Sequence, residues 1–284
     1  METDTRGQPL PSLLDLITKV DNLPLDFATN SSPYYKFLLA PDPRPHGFIH
    51  PTTVERLPWP SPFRIDHAAA TVTLAVPTAA LANAALQAAV DAAIACGRFP
   101  TLNGLHSEPF CVPGVAAAAS LYTYPGMLDS AVAGGVKADD SPLDCMLAES
   151  DEEARLPPAV VAPRLRPAGV VTLANRNPRT ALIHGEILYV YDLDLSPPSG
   201  SEAGALGLVP LPGDDGEVEE FILMEWQDVV RRMKAGEFKP NVCAIMIDFF
   251  IRHGLVTPEE EDQYVEICNR LRRKLPMPTN ALET

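Results

Sequence analysis

The sequence predicts an α+β protein, and three observations carry that prediction. Runs with the helical spacing of apolar residues, such as 78–97, occur beside short runs that alternate like strands, such as 70–76. Hydrophobic residues make up 46% of the chain, which is enough material for a sizeable core. The length of 284 residues suits one large domain or two ordinary ones, and no internal repeat is visible.

The first hundred residues predict a small module of helices and strands. The predicted elements are, in order, a helix at 12–23, a strand in "YYKFLLA", a turn with a strand or helix in "HGFIHPTTVERL", a strand at 70–76 and a helix at 78–97. Ser12 and Thr78 are the expected N-caps of the two helices. Gly97 ends the second helix, which is rich in alanine.

The second half has a different order of elements after an irregular stretch at 100–121. The predicted elements are a helix at 141–156, strands at 168–174, 186–195 and 219–226, and helices at 226–236, 241–254 and 257–276. Ser141 with Pro142 behind it, Asn241, and Thr257 with Pro258 are typical helix starts. Within the helix at 141–156, the apolar positions 143, 146 and 147 are expected to face a core.

Composition excludes several classes of function. The net charge of −15 argues against nucleic acid or an anionic membrane surface as a partner. Five cysteines without a C-x-x-C pair favour reduced thiols in an intracellular protein. The first twelve residues do not resemble a secretory signal or an Arg-rich transit peptide, so we expect a cytoplasmic location. Polar residues interrupt the longest apolar run, so no membrane span is expected.

Three glutamates in the helix at 141–156 raise a question of stability. Glu149 lies three residues before Glu152 and four before Glu153, so all three are neighbours on a helix surface. Like charges at these spacings destabilise a helix by roughly 0.2–0.5 kcal/mol per pair. Either bulk water or a bound cation must offset that repulsion. The segment alone leaves both a solvated acidic face and a metal site open.

The stretch "GGVKADDSPLDCMLAESDEEARLP", 134–157, resembles the Nudix box, G-x5-E-x7-R-E-U-x-E-E-x-G-U, where U is apolar. With Gly134 as the first glycine, the three later glutamates fall on Glu149, Glu152 and Glu153. Asp140 stands where the pattern has its first glutamate. The resemblance therefore keeps the opening glycine and the glutamate cluster.

Besides Asp140, three positions depart from the Nudix box. Ala148 replaces the arginine, Ser150 replaces an apolar residue, and Arg155 stands at the last glycine. The substitution of Asp140 for glutamate also shortens a candidate ligand by one methylene. These departures affect the expected activity, and they leave the alignment of the three glutamates unchanged.

The resemblance implies a site for Mg²⁺ or Mn²⁺ and a small-molecule diphosphate substrate. Mg²⁺ reaches a protein through one or two carboxylates plus substrate phosphates. The implied residues are Glu149, Glu153 and Asp140 as metal ligands, Glu152 and Glu153 as catalytic residues, and Gly134, Gly135 and Glu219 as substrate-binding residues. Glu217, beside Glu219 in "DGEVEEF", is a second candidate near the site, although a solvated strand edge explains both.

Longer blocks, above all residues 236–276, resemble one Nudix subfamily, the thiamine-pyrophosphokinase-related group of fungi and plants. The resemblance implies a helper domain at 1–115 and a Nudix domain at 116–284. The second domain would be an α/β/α sandwich, complete or incomplete, because strands that relatives carry are not visible between Pro113 and Tyr122.

Members of this group resemble diphosphatases that convert damaged thiamine diphosphates to the monophosphate and phosphate. Two alternatives stay open: a phosphatase of nucleoside diphosphates such as an oxidised guanine nucleotide, and a non-catalytic or truncated relative. The oligomeric state is not predicted.

Overall fold

The computed structural model describes residues 7, 9–99, 126–137, 140–197, 207–214 and 216–280. Its mixture of helices and small sheets confirms the α+β class. The chain divides into two compact units. The first comprises Met1–Asp21, Ala117–Leu173 and Glu186–Arg273, and the second comprises Asn22–Ala116, Ala174–Gly185 and Lys274–Thr284. The predicted domain boundary at 115/116 and the stretch between Pro113 and Tyr122 lie outside the described residues, so both remain predictions.

The second unit contains a four-stranded sheet. Its elements are β1 (Tyr35–Ala40), β2 (Pro45–Ile49), α2 (Pro51–Arg56), β3 (Phe63–Asp66), β4 (Thr71–Ala75) and α3 (Ala79–Ala95). The strand order is β2-β1-β4-β3, with β1 parallel to β4 and the other two pairs antiparallel. Thr78 caps α3 as predicted, because its side chain accepts the Leu81 N–H.

The long helix α3 covers the sheet with its smallest side chains. Its buried residues recur at helical spacing: Ala82, Ala85, Ala89 and Ala93. Two of them pack with Leu74 of β4, against Phe37 and Phe63 of the neighbouring strands. Alanine permits this close approach of helix and sheet, so the alanine-rich pattern has a packing role as well as a high helix propensity.

The first unit is mainly helical. Its helices are α1 (Leu13–Thr18), α4 (Pro142–Ala154), α5 (Pro158–Val161), α6 (Trp226–Ala235), α7 (Pro240–Arg252) and α8 (Tyr264–Leu271). Two long strands, β5 (Leu165–Arg176) and β6 (Ile183–Leu193), form a two-stranded sheet. The core is built where α1, α6, α7 and α8 meet these strands, and its fully buried side chains include Ile17, Val171, Ile247, Ile267 and Leu271.

Three of the predicted helix boundaries are wrong. Helix α1 ends at Thr18, where the pattern predicted 23. The N-cap of α7 is Lys239, two residues before the predicted Asn241, because Pro240 takes the first helical position. Thr257 starts only an isolated turn, in which its carbonyl accepts the N–H groups of 260 and 261, and α8 begins at Tyr264.

The strand predicted at 219–226 is also not observed. In the described segment 216–225 no β-ladder forms, and Leu223 is fully exposed. A strand needs a hydrogen-bonding neighbour, which alternation of side chains cannot supply. The segment instead leads to Glu225, the N-cap of α6.

Candidate functional site

Helix α4 carries the acidic cluster, and local sequence defines both of its ends. The Ser141 hydroxyl accepts the Asp144 N–H while the Asp144 carboxylate accepts the Ser141 N–H, which forms a capping box. Pro142 occupies the first helical position as predicted. The helix ends at Arg155, whose backbone is left-handed with φ 51° and ψ 37°.

The left-handed backbone of Arg155 explains why glycine is usual at this point of the Nudix box. A side chain costs roughly 1–2 kcal/mol in this conformation, and glycine avoids that cost. The Arg155 N–H bonds the Asp151 carbonyl at 3.1 Å and the Leu156 N–H bonds the Ser150 carbonyl at 2.9 Å. These bonds are typical of a helix that closes at a glycine. The geometry therefore supports the register in which Arg155 replaces the last glycine.

One face of α4 is buried against a small core of its own. Met146 and Leu147 pack there as predicted, together with Ala154. Leu143 was expected on the same face but is 44% exposed, because the buried face is displaced toward the end of the helix. Ser150 is buried where the Nudix box has an apolar residue, and its hydroxyl donates to the Met146 carbonyl at 2.6 Å. The serine thereby satisfies its own polar group within the helix.

Glu153 lies on the buried face and is only 6% exposed. Its Oε2 accepts the backbone N–H of Ala133 at 2.9 Å. Burial raises the pKa of Glu153 to about 7, the Ala133 hydrogen bond opposes the rise, and the charges of Glu149, Glu217 and Asp129 add to it. A carboxyl group that titrates near neutral pH in such a setting is suited to proton transfer or to binding a cation.

Glu149 lies one turn before Glu153 and in contact with Gly134. A Cβ atom at Gly134 would lie 2.1 Å from Glu149 Oε1 and 2.2 Å from Cδ, so only glycine leaves this side chain where it is. Gly135 follows Gly134 in the chain and is partly buried, whereas Gly134 is exposed. The structure thus brings together four residues that the sequence selected: Gly134, Gly135, Glu149 and Glu153.

The other predicted site residues, Asp140, Glu152 and Glu219, are exposed. Asp140 is exposed just before α4, and its charge, like those of Glu149 and Glu152, raises the pKa of the buried Cys145 thiol after the larger effect of burial. Glu152 is exposed and lines a shallow cleft with Asp151, Arg155, Gly213 and Asp214. Glu219 is exposed, and Glu217 is the residue of that pair whose charge reaches Glu153.

An ion pair that the sequence did not predict lies beside this cluster. Lys239 Nζ contacts the Asp129 carboxylate, and the side chains are 19% and 31% exposed. The pair joins residues 110 positions apart, so only tertiary structure reveals it. The available signal was the charge of Lys239 in "FKPN" and of Asp129 after "PGML", but the local pattern of these segments indicates only a helix start and a turn.

The donor set fits a hard cation but is not a closed cage. Among the described residues, no group of three or more His, Cys, Asp or Glu side chains is arranged to hold a metal ion. Mg²⁺ needs fewer, because it keeps several waters and takes substrate phosphates as ligands. Glu149 and Glu153 supply oxygen donors one helical turn apart, and a cation there would favour the charged form of Glu153, whose pKa is raised first by burial and then by the neighbouring acids.

Comparison with known proteins places the chain near Nudix hydrolases. It is 38% identical over 166 residues to "Uncharacterized protein YJR142W" of Saccharomyces cerevisiae, a match that covers 55% of this chain and 46% of that protein. It is 34% identical over 153 residues to "Nudix hydrolase 20, chloroplastic" of Arabidopsis thaliana, covering 54% and 37% of the two chains. "Nudix hydrolase 24, chloroplastic" of the same plant is 33% identical over 151 residues, covering 53% and 38%.

These homologues support Nudix membership. The chain spans less than half the length of the relatives it matches, and no family model matches it. The register of the acidic helix agrees with membership through the left-handed Arg155 and the close approach of Gly134 to Glu149. Within the described residues, no helix has the length and apolar character needed to cross a bilayer.

Proposed function

We propose that this Nudix relative is a Mg²⁺- or Mn²⁺-dependent diphosphatase that hydrolyses the phosphoric anhydride bond of a small organic diphosphate. The observation that carries the proposal is Glu153, a buried carboxyl with a pKa raised to about 7 and surrounded by further acids. Two relatives named as Nudix hydrolases support the reaction class. Repulsion between these acids destabilises the metal-free protein, and the same acids attract a cation.

The residues of α4 and its neighbouring loop would have separate roles in cation binding and in proton transfer. Glu149 and Glu153 hold the cation, and the Ala133 N–H fixes the Glu153 carboxylate at 2.9 Å. A metal ion held there would supply positive charge for the diphosphate oxygens and would lower the pKa of the attacking water. Glu153 or the exposed Glu152 accepts the proton of that water as it attacks phosphorus. The anhydride P–O bond breaks, so the products are the organic monophosphate and inorganic phosphate.

A damaged thiamine diphosphate is the substrate we propose. The support is the resemblance of residues 236–276 to the thiamine-pyrophosphokinase-related group. An oxidised guanine nucleoside diphosphate is the alternative substrate and uses the same chemistry. A cytoplasmic location stays a prediction, and both plant relatives are chloroplastic by name.

The test is phosphate release by the purified chain from thiamine diphosphate, its oxidised derivatives and nucleoside diphosphates, with and without Mg²⁺. Glu153→Gln is expected to reduce kcat by about 10²-fold or more, the usual contribution of a general acid or base. Glu259→Gln is the matched control because Glu259 is exposed outside the acidic cluster. Chelation with EDTA is expected to abolish release.

The same assay decides the remaining alternative. A folded chain that releases no phosphate from any of these substrates with Mg²⁺ would make the protein a non-catalytic relative. Release that is equal in the wild type and in Glu153→Gln would contradict the assignment of Glu153.

A further inference from the structure

The ion pair of Lys239 and Asp129 occupies a fixed position in the first unit. The backbone of Leu128 accepts the Lys239 N–H at 3.0 Å and donates to the Glu237 carbonyl at 2.9 Å. Between these bonds lies Phe238, which is buried in the main core. The backbone of Lys239 is therefore fixed at the N-cap of α7, and its ammonium group contacts the Asp129 carboxylate.

The segment 128–134 connects this lysine to the acidic face of α4. Its first residues pair with the chain around Lys239. Val132 packs in the core under α4, the Ala133 N–H holds Glu153 at 2.9 Å, and Gly134 contacts Glu149. One short loop thus touches the lysine at one end and both candidate metal ligands at the other.

The charges around Lys239 indicate a role beyond structure. Asp129, which contacts the ammonium group, is close enough to Glu153 for its charge to act there. Both side chains of the pair stay partly exposed, at 19% and 31%, so a ligand can reach them. A partly exposed ammonium group next to a carboxylate-bound cation is a natural contact for phosphate oxygens, because charge-assisted hydrogen bonds to phosphate are strong.

We propose that Lys239 is a specificity-determining residue that binds a phosphate oxygen of the diphosphate substrate, and that Asp129 is the residue that positions it. This inference rests on the proposed function, because it assumes a diphosphate on the acidic face of α4. The lysine selects for a second phosphate group, since it is held at the start of the 128–134 segment, whereas Glu149 and Glu153 are contacted at the end of that segment. Binding exchanges part of the Asp129 contact for a phosphate contact, with no covalent change.

The probe is methylenediphosphonate, a diphosphate that cannot be hydrolysed, with Mg²⁺ present. Lys239→Met is expected to raise its Kd about tenfold or more, the loss of one charge-assisted hydrogen bond. Lys239→Arg should restore affinity to within a few fold, because it keeps the charge. Lys234→Met on α6 is the matched control, and we expect it to bind the probe as the wild type does.

A second readout separates substrate binding from a structural role. Lys239→Met is expected to raise KM more than it lowers kcat, and to leave the Kd of Mg²⁺ alone unchanged. Because Lys239→Met leaves Asp129 without its cation, the double variant Asp129→Asn/Lys239→Met is measured as well, which removes both charges. The double variant should show the same loss of probe affinity at a Tm near that of the wild type.

The outcomes distinguish the two proposals. If the wild type binds and hydrolyses diphosphates, but Lys239→Met and the double variant bind the probe with the affinity of the wild type, the role of Lys239 is overturned. The proposed function then stays in place. A wild type that neither binds the probe nor releases phosphate overturns the proposed function and this inference with it.

Discussion

The buried carboxylates of the first unit fall into two kinds. Asp21 and Asp248 are each held by two arginines: Arg270 and Arg273 bond Asp21 at 3.2 and 2.8 Å, and Arg252 and Arg272 bond Asp248 at 2.8 and 2.5 Å. Glu153 is buried to a similar degree but receives a backbone N–H from Ala133, while its charged neighbours are acids.

The difference separates structural from functional acids. A buried charge is tolerated when it is paired, and the two aspartates meet that condition within the protein. Among the described residues Glu153 has a backbone N–H and neighbouring acids but no ion pair, so we expect it to meet that condition when a cation binds. The predictions below test this contrast.

The largest expected effect is the loss of a paired acid. Asp248→Asn removes the charge that Arg252 and Arg272 share, and breaking a buried pair from one side costs about 3–5 kcal/mol. Chemical denaturation of the variant would measure the change. The matched control is Asp228→Asn, since Asp228 pairs with Arg231 on the surface and we expect no measurable change there. If Asp248→Asn has the same unfolding free energy as the wild type, the ion pairs of Asp248 do not distinguish it from Glu153.

The pH dependence of the unfolding free energy should show whether Glu153 lacks a cationic partner in the metal-free protein. The folded protein keeps the Glu153 proton to a higher pH than the unfolded chain, since its pKa rises from 4.5 to about 7. The unfolding free energy should therefore fall as the pH rises through this window, by up to about 3 kcal/mol. Glu153→Gln should not show this component of the decrease.

The comparison is made on metal-free protein by denaturant unfolding between pH 4 and pH 8, a range of about four units around the shifted pKa. Saturating Mg²⁺ should restore part of the stability of the wild type at the upper end and leave Glu153→Gln unchanged. If the unfolding free energies of the wild type and Glu153→Gln change with pH in the same way, the charge of Glu153 is already neutralised within the protein.

Gly134 should matter for the metal site more than for the fold. Gly134→Ala would displace the Glu149 side chain, whose Oε1 lies 2.1 Å from the added Cβ. We expect Mg²⁺ affinity to fall about tenfold, as for other changes that move a ligand. Calorimetric titration with Mg²⁺ measures it, with Ala133→Gly as a control that keeps the backbone N–H for Glu153. Unaltered affinity would place the cation away from Glu149.

The smallest expected effect is at the end of α4. Arg155→Gly relieves the left-handed backbone at φ 51° and should stabilise the protein by about 1 kcal/mol. The lost contact with Asp214 is exposed and contributes little. Asp214→Ala breaks that contact without changing the backbone, so thermal unfolding of the two variants separates the causes. A destabilised Arg155→Gly would show that the Asp214 contact outweighs the backbone strain.

Local elements were predictable where the responsible contacts lie within a few residues. Ser141 and Thr78 cap their helices as expected, because an N-cap bond spans only three positions. The strand at 219–226 and the helix start at Thr257 were wrong, because each depends on partners that a local pattern does not contain. The ion pair of Asp248 with Arg252 is likewise a local contact, since a spacing of four positions on one helix brings the two side chains together.

The sequence by itself determined the α+β class, the N-cap of α4 and the alignment of Gly134 with three glutamates. Only the tertiary structure decided which glutamate is buried, because Glu153 depends on Ala133 twenty positions away and on the charge of Asp129. It also decided that Lys239 meets Asp129 across 110 positions. Burial and the field of neighbouring charges are long-range properties, so a motif can name the acids while the fold assigns their chemistry.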